Sequence, residues 1–93
     1  MKYKFEFTKK FKKDYKLAKR QSKNLDKLFY VIEKLANGEN LSEKYNDHAL
    51  TGDLKGLREC HIEPNWLLIY EYIDDKLILM LTRLGSHSDL FNM

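Results

Sequence analysis

Few of the 93 residues combine proton-transfer chemistry with a place in a pattern, and most of those fall after residue 47. The stretch HIEPNW, His61 to Trp66, sets an imidazole and an indole around a Glu-Pro-Asn segment that reads as a tight turn. A purely structural hairpin needs neither ring. His48 lies upstream, and Arg83 and His87 close the last apolar run. Imidazoles trade protons near neutral pH, a guanidinium holds an oxyanion through a planar fork of donors, and an indole offers a stacking face. That set suits phosphoryl transfer on RNA without a metal. A base removes a ribose 2′-hydroxyl proton, the oxygen attacks the adjacent phosphorus, an acid protonates the departing 5′-oxygen, and a cation offsets the growing charge.

Plainer readings compete with this one. A lone histidine is more often a hydrogen-bonded structural residue, and Trp66 alone is more often core. His48, His61 and His87 also have the right ligand type for zinc, but none forms a close-spaced pair, and no metal or other cofactor is expected. Cys60 adjoins His61, yet consecutive strand residues face opposite ways, which argues against a thiol nucleophile.

The elements that must position these groups can be read from periodicity. KYKFEF alternates polar and apolar residues as a strand does, and Thr8 can cap the helix that follows. Over residues 8–21, Phe11, Tyr15 and Ala18 share one face while Lys9, Lys12, Lys13, Lys16, Lys19 and Arg20 gather around the other. Asn24 is a cap for a second helix, in which Leu25, Leu28, Phe29, Ile32, Leu35 and Ala36 keep helical spacing until Asn37-Gly38 ends it. Residues 39–55 show no sustained period and read as a long, functional loop carrying His48. LRECHI, WLLIYEY and KLILMLTRL read as strands, and Ser86 can cap a final helical turn. The order β-α-α-β-β-β predicts an α+β fold: an antiparallel sheet packed by two N-terminal helices, with a short C-terminal turn. Counting across the two predicted turns places His61 opposite Trp66 and Trp66 opposite Arg83, one row on one face.

Composition bounds the rest. A length of 93 residues, 43% hydrophobic and 33% charged, fits one domain over 1–93. A single cysteine points to a reducing compartment, the cytoplasm, and no run is apolar enough for a signal or a membrane span. Residues 1–27 carry eleven Lys/Arg against three Asp/Glu, a net of +8, while residues 28–93 carry six against eleven, a net of −5. Such a basic front suits a polyanionic partner, although lysines also simply coat a solvated helix face.

HALTGDLKGLRECHIEPNWLLIY, residues 48–70, and TRLGSHSDLF, residues 82–91, resemble the YafQ branch of the RelE-like bacterial toxins. That branch pairs a His-x-Leu-x-Gly loop with Arg-x-x-His-Val/Ile-x-Pro-Asp-Trp and a closing Arg-x-Gly-Thr/Ser-His-x-x-Leu-Phe. The resemblance implies the toxin of a type II toxin-antitoxin system, a ribosome-dependent endoribonuclease that cuts translated messages. It implies a cognate antitoxin, of ribbon-helix-helix type, through which DNA is contacted only indirectly. His48, His61, Arg83 and His87 would be catalytic: His87 the acid, Arg83 the phosphate contact, and His48 or His61 assisting the 2′-hydroxyl. Asn65, Trp66 and Phe91 would hold nucleotides, and Lys9, Lys12, Lys13 and Lys16 would face ribosomal RNA. Asn65 departs from the pattern, because the family commonly has aspartate there and an amide is not a general base at neutral pH. The alternative is a RelE/ParE-like binding module without nuclease activity, or a toxin with a protein target.

Overall fold

The computed structural model describes residues 1–91. In chain order it runs β1 (Lys4–Phe7), α1 (Lys9–Arg20), α2 (Leu25–Ala36), β2 (His48–Ala49), β3 (Arg58–Glu63), β4 (Trp66–Ile73), β5 (Ile78–Gly85) and α3 (His87–Phe91). Helix starts follow cap chemistry. Thr8 Oγ1 accepts the Phe11 N–H at 3.0 Å and Asn24 Oδ1 accepts that of Lys27 at 3.4 Å, so each side chain satisfies one donor of an open first turn. α2 ends at Ala36 with Asn37 as its C-cap, and Gly38 follows with φ +76°, a conformation that favours a residue lacking Cβ. Phe11 and Ala18 of α1 and Leu28, Val31, Ile32, Leu35 and Ala36 of α2 are buried in one core with Cys60, Trp66, Leu68, Tyr70, Leu79, Leu81 and Leu84 of the sheet. Phe29, expected on the core stripe of α2, is 47% exposed, and Val31 takes the buried place instead.

The α+β architecture is as expected, but the sheet is mixed rather than antiparallel throughout. Its strand order is β1-β5-β4-β3-β2, with β1 parallel to β5 and every other pair antiparallel. A parallel neighbour requires a long crossover, and everything between β1 and β5 serves as one. The stretch 39–55 is also more ordered than a loop. It holds two single 3₁₀ turns, Glu43–Tyr45 and Gly52–Leu54, and the two-residue strand β2, which pairs His48 with Glu59.

The expected row through Trp66 is corrected by the register. His61 faces Leu67, and Arg83 faces Ile69. Two irregularities cause this. Glu63 pairs with Trp66 across the Pro64-Asn65 turn, which leaves Ile62 as an extra residue before the His61 pair. The β4–β5 connection is longer than the expected turn, with a 3₁₀ turn at Asp74–Lys76 and Leu77 at φ +52°, and the ladder shifts again between Ile69 and Tyr70. Both offsets from the expected pairing are odd, and an odd slip moves a side chain to the other face.

Trp66 therefore points away from His61 and Arg83. It is 2% exposed, lies in the helix-covered core, and carries the Lys23 ammonium 5.8 Å from its ring centroid. The expectation that it stacks against a nucleotide is withdrawn: an indole closed into the core has no face to offer. Trp66→Ala should destabilise the fold by about 3 to 5 kcal/mol, as large-to-small core substitutions do, which a denaturant titration measures. A variant with unchanged stability would return the ring to a surface role.

Candidate active site

The face of the sheet opposite the helices carries the polar groups. Pairing runs His48 to Glu59, Glu59 to Ile69 and Ile69 to Arg83, a row across four strands. Two residues along, a second row runs His61 to Leu67 to Gly85. Directly paired residues, and residues two apart on a strand, share a face, so His48, Glu59, His61 and Arg83 stand on one side. Leu67 and Ile69, 1% and 3% exposed, form the apolar floor between them. From β3 to β5 the floor spans two strand spacings, about 10 Å.

Glu59 is the residue that sequence reasoning missed. It is 4% exposed, the buried charged residue among those described, and its Oε1 lies 3.4 Å from His61 Nε2 and 3.7 Å from His48 Nε2. Its signal was present, because Glu59 and His61 are two apart in a strand and must project together. One carboxylate thus serves two imidazoles from different strands.

His48 is held at its other nitrogen. Nδ1 lies 2.6 Å from the Asn46 carbonyl oxygen, which can only accept, so Nδ1 carries a hydrogen and Nε2 is the nitrogen left to take or give a mobile proton. The neighbouring Asp47 fastens this segment to the sheet. Tyr70 donates its hydroxyl to Asp47 Oδ1 at 2.6 Å, and Arg58 Nε lies 3.4 Å from both that oxygen and the Tyr70 oxygen. Burial, and secondarily the bond to Asp47, pushes the Tyr70 phenol well above its ordinary range, so it remains a donor. Asp47 fixes the approach of His48 without entering the row itself.

α3 brings the third imidazole. Ser86 Oγ accepts the Asp89 N–H at 3.1 Å, the cap expected of it, and Asp89 Oδ2 accepts the Ser86 N–H at 3.4 Å in return. His87 opens the helix, exposed, two residues past Gly85, which ends the row that contains His61. Asn65 Oδ1 accepts the His87 backbone N–H at 3.3 Å, tying the β3–β4 turn to α3. An amide oxygen accepts a hydrogen bond as a carboxylate does, so asparagine can fill this holding role. Phe91, expected beside a nucleotide, sits with its ring centroid 4.8 Å from that of His87.

Arg83 is strongly held. Its Nε and Nη2 donate to Asp14 of α1 at 2.8 and 3.3 Å, bonds that raise its pKa further. Cys60 lies opposite, fully buried on the core face, and burial drives its thiol far above the range where a thiolate forms. It has no path to the site. Among the described residues, no group of three or more His, Cys, Asp or Glu is placed to hold a metal ion.

Lys9, Lys12, Lys13 and Lys16 are exposed on α1 and make no ion pair among the described residues. Lys12 and Lys16 also flank an open apolar groove lined by Phe7, Phe11 and Tyr15. No helix among the described residues is long and apolar enough to cross a membrane.

Residues 3–92 match the family described as "Bacterial toxin of type II toxin-antitoxin system, YafQ". The mRNA interferase toxin YafQ of Escherichia coli K12 is 42% identical over 87 residues, 92% of each chain. The crystal structure of YafQ from E. coli BL21(DE3) superimposes with a TM-score of 0.89 at 38% identity, covering 96% of this chain and 98% of that one. YafQ in the E. coli DinJ-YafQ complex does so with a TM-score of 0.87 at 39% identity, again over 96% and 98%. With sequence and overall structure in agreement over nearly the whole length, the chain belongs to the YafQ family of type II toxin-antitoxin toxins, within the RelE/ParE superfamily.

Proposed function

We propose that this chain is a ribosome-dependent endoribonuclease that cuts messenger RNA through its own 2′-hydroxyl. The observation that carries the reading is the shared carboxylate: Glu59 lies within 3.4 and 3.7 Å of His61 and His48 on the face that also bears Arg83. His48 or His61 takes the proton from the 2′-hydroxyl, and Glu59 stabilises the imidazolium that results. The freed oxygen bonds to the adjacent phosphorus while Arg83 offsets charge on the phosphoryl oxygens. The bond to the 5′-oxygen breaks, and that oxygen takes a proton from His87. The products are a 2′,3′-cyclic phosphate and a 5′-hydroxyl. Phe91, beside His87, packs against the nucleotide that follows the cut, and the Asn65 amide N–H groups remain available to a base or ribose.

The exposed lysines of α1 supply the ribosomal contact. Lys9, Lys12, Lys13 and Lys16 form a cationic face suited to RNA phosphates, which contribute salt-sensitive affinity and little base specificity. The antitoxin partner is supported by the similarity to YafQ held in the DinJ-YafQ complex. A cytoplasmic site of action follows from a ribosomal substrate, and a single domain over 1–93 is enough to hold every group named.

The test is a defined message on purified translating ribosomes. The chain should cut it to fragments ending in 2′,3′-cyclic phosphate or the 3′-phosphate formed by its hydrolysis. A single 2′-deoxy substitution at the cut position should abolish cutting there. Fragments with 3′-hydroxyl ends, or growth arrest with intact messages, would reject the reading.

A further inference from the structure

We infer that Asp14, on the cationic helix α1, is the positioning residue for Arg83; the inference rests on the nuclease reading above. Asp14 is the single acid in a helix with seven Lys/Arg, KKFKKDYKLAKR. On a solvated face such a residue would be expected to pair with a neighbouring lysine. Its carboxylate instead reaches across to β5, where its side chain is only 15% exposed.

The reason lies in the edge of the sheet. β1 pairs with β5 only as far as Phe7 and Leu81, so beyond Leu81 that side of β5 has no strand neighbour. α1 takes over the open edge. Thr8, its cap, donates its N–H to the Leu81 carbonyl at 3.0 Å and its hydroxyl to the Thr82 carbonyl at 2.7 Å. Asp14 follows one turn and a half later and accepts the Leu84 N–H through Oδ2 at 2.9 Å. The same Oδ2 accepts Arg83 Nε at 2.8 Å, and Oδ1 accepts Nη2 at 3.3 Å.

One carboxylate therefore grips the side chain of Arg83 and the backbone of the next residue. A guanidinium presents five donors in a fixed plane, and Asp14 occupies one edge of that plane, leaving the remaining N–H groups for a phosphate. The alternative role is a mask that must release Arg83 before catalysis. Release would break the Leu84 bond as well, and that bond satisfies a backbone donor at the sheet edge. The shared acceptor favours a fixed clamp. Because the clamp sits on the helix that carries Lys9, Lys12, Lys13 and Lys16, it also ties the aim of Arg83 to the helix proposed to dock on the ribosome.

The experiment is single-turnover message cleavage at saturating ribosomes, with the full chain. Asp14→Asn should lower the maximal rate by about 10- to 100-fold, the scale of a misplaced catalytic group. The ribosome concentration giving half-maximal rate should stay within about twofold. In an Arg83→Ala background the same substitution should add no further loss, because its effect travels through the guanidinium. A masking role predicts faster cleavage by Asp14→Asn, and a structural role predicts equal losses in both backgrounds; either result overturns the inference. Should Asp14→Asn fail to fold, Asp14→Glu keeps the charge but lengthens the arm. It should then show the same fall in rate with unchanged ribosome binding, and a full rate would count against the clamp. If Arg83→Ala is inactive while Asp14→Asn is fully active, the inference alone fails. If Arg83→Ala cleaves normally, the nuclease reading of this site fails with it.

Discussion

His87→Ala is expected to slow single-turnover cleavage by about 10² to 10⁴-fold, the range lost with a positioned general acid, while folding and ribosome binding persist. The leaving 5′-oxygen of RNA is a poor leaving group unless a proton arrives with bond cleavage. His87 is exposed at the start of α3, so truncating it opens no core cavity. Its backbone N–H keeps the Asn65 acceptor in His87→Ala, and its ring packs beside Phe91 with 4.8 Å between centroids. A message with sulfur in place of the scissile 5′-oxygen tests the role directly, because a thiolate leaves without protonation. His87→Ala should cut that message at close to the wild-type rate. Undiminished cleavage of ordinary RNA, or no rescue by sulfur, would remove His87 from the acid role.

Much of this arrangement is legible in the sequence, and what is not has identifiable causes. The caps at Thr8, Asn24 and Ser86 are local chemistry, and each was expected from one side chain and its spacing. The core faces of α1 and most of α2 follow from helical period alone. The row through the site was legible as a set of residues but not as a register, because a hairpin's register depends on where the extra residues fall. Ile62, the longer β4–β5 connection and the shift after Ile69 moved the pairing by odd steps, and this sends Trp66 to the core while His61 and Arg83 stay together. Apolar character cannot reveal such a flip, since an indole suits either face.

Residues whose role depends on a distant partner were hidden for a different reason. Asp14 is 69 residues from Arg83, and Asp47 is 23 from Tyr70, so no local pattern connects them. Glu59 could have been found, because it stands two residues before His61 in a strand and period 2 alone puts them on one face. The parallel pairing of β1 with β5 belongs with the hidden features. It joins the two ends of the chain, and no turn between them dictates it.

Arg83→Ala should cost about 10² to 10³ in the cleavage rate, the scale measured when one preorganised donor to a developing oxyanion is removed. The guanidinium is preorganised in a specific sense: Asp14 holds two of its donors at 2.8 and 3.3 Å, so no side-chain freedom is lost when a phosphate arrives. Stability should fall much less than activity. The pair is partly exposed, 30% on the arginine side, and Asp14 keeps the Leu84 N–H at 2.9 Å after truncation, so about 1 to 3 kcal/mol bounds the loss. Arg83→Lys should recover only a small part of the rate, since an ammonium is a point charge and cannot face Asp14 and a phosphate with one rigid fork. Messages carrying sulfur at one nonbridging oxygen of the scissile phosphate separate contact from bulk charge. Wild type should discriminate between the two phosphorothioate diastereomers, and Arg83→Ala should lose that preference along with the rate. A variant that is slow yet keeps the same stereochemical preference would show that Arg83 organises the site without touching the phosphate.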